Sequence, residues 1–307
     1  RMLHRAAIIA SLFGVSVSIT AQAPKPPDRN TVLSIGHPLA VWSRAPATPR
    51  AVLVLVHGRT WSSRPDFDLQ VPGLQRSVLT SLAAQGIAAY AVDLRGYGDT
   101  PRDKTEFLTP RVAAQDVAAV VRWAALRHAS LPAPSLFGWS LGGAVAHLTA
   151  QTPGLTLSSL VMFGFAVEPG LDYAAVPPPA RPARTGTTRA DALSDFISPQ
   201  VTSSAVTAAF VTQALAADPV RMDWIKEDEF NDLDPARLTM PTMVLQGSRD
   251  PGVPSDVAAR FFQKIAAPQR QWTLLPGGDH AAQLEDTHAA FISAIVEFIT
   301  RPAAARR

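Results

Sequence analysis

The chain contains no cysteine. That excludes disulfide frameworks, iron–sulfur clusters, thiolate zinc sites and a cysteine nucleophile. No segment reaches the roughly eighteen consecutive apolar residues of a membrane-spanning helix, so a multi-spanning membrane protein does not fit. Lys and Arg form no basic run, and a formal charge of +3 is too small to indicate a nucleic-acid partner. No G-x-G-x-x-G or phosphate-loop pattern follows any candidate strand, so nucleotide chemistry has no support. No grouping of His with carboxylates suggests a metal centre, and no cofactor is implied. What remains is 307 residues, 47% hydrophobic and 17% charged. This is the composition of a globular chain of one large or two modest domains, not of a disordered one.

The first residues read as a targeting signal. Arg1, His4 and Arg5 give a basic start, an apolar stretch follows to Ile19, and Ala21-Gln22-Ala23 supplies a small-x-small exit. Residues 1–23 are therefore expected to be a cleaved signal peptide, with the protein secreted or periplasmic, nearly neutral after cleavage, and without a stable membrane span. An uncleaved anchor or a plain N-terminal helix is the alternative. The Pro-rich stretch that follows makes residues 24–30 a flexible leader.

From there the pattern alternates. Residues 51–56 and 87–92 are short, continuous aliphatic runs, as expected of strands buried on both faces. Between them, residues 74–85 have helical apolar spacing, which Gly86 ends. This strand–helix–strand order favours a parallel sheet with right-handed crossovers. Helices are expected over 111–128, 141–149, 255–265 and 284–300, and strands over 135–139, 157–163, 241–246 and 271–275. Residues 166–239 break the pattern with Pro177-Pro178-Pro179 and short amphipathic pieces at 189–197 and 203–216. A long insertion between strands of a parallel sheet tends to lie over their carboxyl ends, so it is expected to form a helical cap.

Gly138-Trp139-Ser140-Leu141-Gly142 fits G-x-S-x-G at a strand-to-helix junction. A sharp turn there holds the serine in a strained conformation and exposes its oxygen, and a Cβ at either flanking position would clash. The start of the following helix favours a developing oxyanion.

With this elbow in place, the chain from about residue 31 to residue 300 resembles the α/β-hydrolase superfamily. His57-Gly58 ends the first buried strand, like that superfamily's oxyanion loop. The loop from Asp93 through Arg95, Gly96 and Asp99 to Thr100 is similar to its D-x-R-G-x-G-x-S/T loop. Asp250-Pro251 follows a late strand, where the family places its acid. Gly277-Gly278-Asp279-His280 follows the last strand, where it places its histidine. The resemblance implies an α/β-hydrolase fold: a mostly parallel central sheet with helices on both faces and a helical cap inserted between late strands. Residues 31–165 and 240–300 would form the core, and residues 166–239 the cap.

The implied roles follow the order Ser140, Asp250, His280. A serine needs a base within hydrogen-bond reach, and the base needs a carboxylate to set its tautomer. His280 is the expected base. Its competitors are His288, expected at the surface, and His147, expected to pack. Asp250 is the expected acid. Its competitors are Glu168, just after the preceding strand, and Asp256, at a helix start. Leu141 and Arg59, with Thr60 behind it, are the expected oxyanion N–H donors. The Arg59 guanidinium either favours an anionic substrate or faces solvent. The resemblance gives His57, Asp93, Arg95 and Asp99 structural roles. Trp61, Trp139, Tyr173 and Trp224 are candidates for the substrate pocket, with Phe230 a further aromatic of the cap; local packing is the alternative for each.

The expected activity is hydrolysis of a small or medium carboxylic ester through an acyl-enzyme. A serine at the elbow argues against the branches that use Asp, and Arg59-Thr60 after Gly58 rules out the H-G-G-G loop of one esterase branch. The same triad acting on a carbon–carbon or amide bond, or with peroxide in place of water, is an alternative. So is a non-catalytic binding protein of this fold. The expected partner is a small ester-like molecule; the oligomeric state is open.

Overall fold

The computed structural model describes residues 25–301; the expected signal peptide, residues 1–23, lies outside them. The chain opens with an antiparallel hairpin of β1 (Asp28–Ser34) and β2 (His37–Arg44), turned through positive φ at Ile35 and Gly36. Asp28, Arg29 and Asn30 pair with Ser43, Trp42 and Val41. The last three residues of the expected leader are thus already part of the sheet.

The core then runs through β3 (Ala51–Val56), α1 (Ser63–Phe67), β4 (Leu69–Val71), β5 (Leu74–Arg76), α2 (Val78–Ala84) and β6 (Ile87–Val92). It continues with β7 (Phe107–Leu108), α3 (Pro110–Arg127), β8 (Ser135–Trp139), α4 (Leu141–Ala150) and β9 (Leu160–Phe163). The long segment that follows carries α5 (Arg189–Leu193), α6 (Ser204–Ala217) and β10 (Asp223–Trp224). The chain returns to the core as β11 (Thr242–Gly247), α7 (Ser255–Lys264), β12 (Arg270–Leu275) and α8 (His288–Ile299).

Eight strands form one sheet in the order β1-β2-β6-β3-β8-β9-β11-β12. From β6 to β12 every neighbouring pair is parallel; only β1 and β2 run against their neighbours. Alternate residues of each strand enter different layers, as a period of two requires. On β3, Leu53 and Leu55 join one buried cluster with Val78, Leu79 and Leu82 of α2 and Phe291 of α8. Val52, Val54 and Val56 join the other, with Val117 and Val121 of α3 and Phe261 of α7. This two-sided burial explains why the strands read as unbroken aliphatic runs.

Two expected helices begin later than their apolar spacing suggests. Residues 74–76 pair with β4, and α2 starts only after Ser77, whose side chain accepts the Thr80 N–H at 3.0 Å. Residues 284–287 form turns, with Leu284 N–H donating to the Ala281 carbonyl and His288 N–H to that of Glu285, and α8 starts at His288. α3 begins where Thr109 caps Val112 N–H, with Pro110 in the first turn.

The parallel strands place their carboxyl ends on one edge, and His57, Asp93, Ser140, Asp250 and His280 all follow strand ends there. Phe137, fully buried on β8 directly before the elbow, packs edge-on against Phe67 and Phe291, with ring centroids 5.9 and 5.8 Å away. Replacing it with Ala leaves a cavity in the layer beneath the site. Phe137→Ala is expected to cost about 3–5 kcal/mol, measured as a lower midpoint at unchanged slope in urea unfolding.

Candidate active site

Ser140 sits between β8 and α4 at φ 53° and ψ −123°, a region that side-chain-bearing residues rarely occupy. The turn is held on both sides. Ser140 N–H donates to the Phe163 carbonyl of β9 at 2.9 Å, and Gly143 N–H donates to the Ser140 carbonyl at 2.8 Å. A Cβ on Gly138 would come within 2.1 Å of the Gly142 carbonyl oxygen, and one on Gly142 within 2.3 Å of the His57 carbonyl oxygen. Both contacts are backbone and neither can yield, so the flanking residues must be glycine.

His280 faces Ser140 across a cavity of about 60 Å³ lined by Gly58, Arg59, Thr60, Trp61, Asp66 and Trp139, with Asp195 also on its wall. His280 Nδ1 hydrogen-bonds Asp250 Oδ2 at 2.9 Å, and Asp250 Oδ1 accepts the Gly252 N–H at 2.8 Å. An ionised Asp250 makes Nδ1 the protonated nitrogen and leaves Nε2 without a protein partner among the described residues. Burial pulls the imidazole down. The Asp250 hydrogen bond and the charges of Asp250, Asp195 and Asp279 outweigh this and set it above the ordinary value. The structure therefore brings Ser140, Asp250 and His280 into one constellation.

The competing residues lie elsewhere. Glu168 is half-exposed and paired with Arg260 at 2.6 and 2.8 Å, and Asp256 pairs with the same Arg260 at 3.0 Å. His147 is buried edge-on to Phe261. His288, expected at the surface, is instead buried: Nδ1 donates to the Gln283 carbonyl at 2.6 Å and Nε2 accepts from Ser81 Oγ at 2.8 Å. It ties the first turn of α8 to α2.

The N–H groups of Leu141, at the start of α4, and of Arg59 donate to no protein acceptor among the described residues. The Arg59 guanidinium, half-exposed, pairs with Glu227, so its charge is drawn out of the cavity. Two aromatic groups brace its loop: Tyr97 O–H donates to the Arg59 carbonyl, and Trp224 Nε1–H donates to Tyr97 Oη at 2.8 Å. His57 is fully buried beneath the loop. Its Nδ1–H donates to the Gly58 carbonyl at 2.8 Å, and its Nε2 accepts the Leu94 N–H at 3.1 Å. Burial lowers its pKa to about 4, so it stays neutral. Asp93 accepts from Trp42 Nε1, Ser63 N and Asp99 N, while Arg95 grips Asp116 with two hydrogen bonds at 2.7 and 2.9 Å. These residues brace loops.

Of the four aromatic pocket candidates, two line the cavity. Trp61 donates Nε1–H to Asp195 Oδ2 at 2.9 Å, and Trp139 donates to the His280 carbonyl at 2.8 Å while packing on Gly58. Tyr173 and Trp224 do not line it. Tyr173 packs against Phe230 with ring centroids 6.2 Å apart, Trp224 stacks on Phe230 at 6.5 Å, and Trp224 is committed to Tyr97. Sequence reasoning missed Asp66 and Asp195. Neither follows a strand end or a recognisable motif, and only the folded chain brings them to one cavity.

The His280 loop has its own acid support. The Asp279 N–H donates to Glu285 Oε2 at 2.9 Å, while Glu285 Oε1 is buried without a partner. Burial and the neighbouring Asp279 raise the Glu285 pKa to about 9, against 4.5 ordinarily. A folded-state value above the unfolded one means stability that is full below about pH 4.5 and lost as the pH rises through about 9. His57 and His147, both lowered to about 4 by burial, act in the opposite sense but only below their ordinary 6.5. Between pH 7 and 9 the melting temperature of the protein is therefore expected to fall, and that of Glu285→Gln to fall less steeply. Parallel curves in a thermal-melt series would mean that Glu285 is not a protonated acid.

The comparisons with known proteins fit this geometry. No curated protein matches the chain in sequence. An esterase from Rhodococcus sp. ECU1013 is similar in structure at 22% identity and a TM-score of 0.65, over 90% of this chain and 99% of that one. The thioesterase domain from the curacin biosynthetic pathway is similar at 17% identity and a TM-score of 0.61, over 89% and 100%. A thermophilic esterase from Thermogutta terrifontis is similar at 18% identity and a TM-score of 0.59, over 89% and 98%. At these identities the likeness is one of fold. The family model described as "Alpha/beta hydrolase family" matches residues 53–294, from the first parallel strand into the last helix, and the chain belongs to that family.

Proposed function

We propose that the protein is an exported serine hydrolase that cleaves a small carboxylic ester through an acyl-enzyme. One observation carries the reading: the 2.9 Å contact of His280 Nδ1 with Asp250, on a cavity shared with a serine at φ 53°. In this mechanism His280 Nε2 takes the Ser140 hydroxyl proton as Oγ attacks the ester carbonyl. The Leu141 and Arg59 N–H groups receive the oxyanion, aided by the start of α4. His280 then protonates the departing alcohol. A water, deprotonated by His280, attacks the acyl-enzyme, and the carboxylic acid leaves. Asp250 keeps Nδ1 protonated throughout and stabilises the transient imidazolium.

Residues 166–239 act as the cap in this reading. Support comes from two contacts: Asp195 reaches Trp61 on the cavity wall, and Ser198 N–H donates to Asp279 beside His280. The relatives described as esterases support the ester as the bond cleaved. A water needs about 10–15 Å³ of such space, so a cavity of about 60 Å³ suits an acyl group of only a few heavy atoms.

The test is a series of p-nitrophenyl esters of increasing acyl length. Turnover is expected to peak at acetate to butyrate and to fall by about 10⁴-fold or more in Ser140→Ala. A well-folded sample that cleaves none of them would refute the ester reading. Activity should rise with pH as His280 loses its proton, with a midpoint above the ordinary 6.5 because the surrounding carboxylates favour the cation. Export rests on residues 1–23, and the N-terminus of protein recovered outside the cytoplasm is expected to follow Ala23. An intact Arg1 or Met2 on that protein would count against cleavage.

A further inference from the structure

The cavity wall beside the loop of residues 58–61 carries two carboxyl groups that the hydrolytic mechanism does not use. Asp195 Oδ2 is fixed by Trp61 Nε1–H at 2.9 Å. Asp66 is fully buried at the back of the same cavity. Its Oδ2 accepts the Gly58 N–H at 3.2 Å, and its Oδ1 is buried with no hydrogen-bond partner. An unpaired buried carboxyl oxygen costs free energy unless something supplies a donor.

The basic group nearest Asp195 on the cavity wall, His280, is already paired with Asp250. The one Arg there, Arg59, sends its guanidinium to Glu227. Arg221, whose charge reaches Asp195, is held by Asp191 at 2.5 Å. Asp195 is also acted on by the charges of His280 and Asp279.

A carboxylate beside an oxyanion site opposes the reaction, because the negative charge that develops on the ester oxygen is repelled. The arrangement becomes favourable when the substrate brings a cation between them. We propose that Asp195 and Asp66 form a subsite for a protonated amine on the acyl side of the ester, so that the preferred substrates are small α-aminoacyl esters. The inference rests on the serine-hydrolase reading. The ammonium would donate to Asp195, to the free Asp66 Oδ1, or to both, and so give the unpaired oxygen the partner it lacks. The cavity is small enough that a carbonyl in the oxyanion site keeps its α-substituent within the same 60 Å³. Burial and the neighbouring Asp195 push the Asp66 carboxyl well above its usual range, and burial raises Asp195 to about 6. A cation between the two carboxyls would favour the charged form of both.

The test compares glycine ethyl ester with ethyl propionate, its uncharged isostere, by following acid release at pH 7. The expected result is a kcat/KM ratio of about tenfold or more in favour of the amine, the range of one charge-assisted hydrogen bond. In Asp195→Asn the ratio should fall towards one. Each variant serves as its own reference, so any general effect of the substitution on His280 cancels. A ratio near one in the unaltered protein, or a ratio that Asp195→Asn leaves in place, would overturn the proposal. Calorimetric titration of Ser140→Ala with both esters separates the subsite from the chemistry. Tighter binding of the amine there supports the subsite even if neither ester is turned over, and equal or absent binding of both refutes it.

Discussion

The turn at Ser140 is the constraint around which the site is arranged. A serine at φ 53° is strained by an amount of order 1–3 kcal/mol. Such strain persists only where the surroundings leave no alternative. Here β8 enters the turn hydrogen-bonded to β3 on one side and β9 on the other, and α4 leaves it with the Leu141 N–H unpaired among the described residues. The sheet fixes where the strand ends, the helix fixes where it resumes, and only the sharp path through Ser140 joins them. The same close packing brings α4 within touching distance of the His57 carbonyl, so the His57–Gly58 loop and Ser140 are positioned by one contact.

The loops around this turn are held by buried carboxylates rather than by regular structure. A loop brought into the interior carries N–H groups that need acceptors, and one carboxylate can satisfy several. Asp218 accepts from Ser62 N, Ser62 Oγ and Gly98 N, each at 2.8 Å, and so ties the end of α6 to two core loops. Asp93 does the same for Ser63 and Asp99, and Asp279 for Ser198 and Ala281. The ties of Asp218 to Ser62 and Gly98, of Asp93 to Ser63 and of Asp279 to Ser198 join residues far apart in the chain. The cost is electrostatic: burial raises Asp66, Asp93 and Asp218 above the ordinary carboxylate value, and neighbouring carboxylates add to it at Asp66 and Asp93. Accumulated acidic groups at this edge thus follow from how its loops are secured, and they set the polarity of the cavity between them.

What the sequence made legible is what depends on short-range pattern. The runs at residues 51–56 and 87–92 are strands because burial on both faces leaves no place for a polar residue, and such runs need no knowledge of the partner strand. The places of Ser140, Asp250 and His280 at one sheet edge could be read because each follows a strand. Features set by distant partners were not legible. Residues 28–30 look like a polar spacer until β2 folds back on them. Residues 74–76 have helical spacing, yet they pair with β4. His288 opens a helix, which suggests exposure, but α2 packs over it and supplies Ser81. Tyr173 and Trp224 are aromatic residues of the insertion, and their common neighbour is Phe230 rather than the cavity. Asp195 has no local signal at all: the short helix before it is marked by the Thr188 and Asp191 capping pair, and nothing distinguishes the carboxylate that reaches Trp61.

The two histidines at this edge show why residue type alone does not assign a base. Each follows a strand, and each lies close to Ser140. His57 commits both ring nitrogens to main-chain groups and has no carboxylate partner, so protonation would place an uncompensated cation in the interior. Its ring can act only as a strut between the Gly58 and Leu94 backbones. His280 commits one nitrogen to Asp250 and is surrounded by the charges of Asp250, Asp195 and Asp279, so the same desolvation is more than offset. A general base must exist in both protonation states at modest cost. Only the second environment allows that. The distinction lies in what surrounds each ring, which is set by the acids of the neighbouring loops and not by the letters next to either histidine.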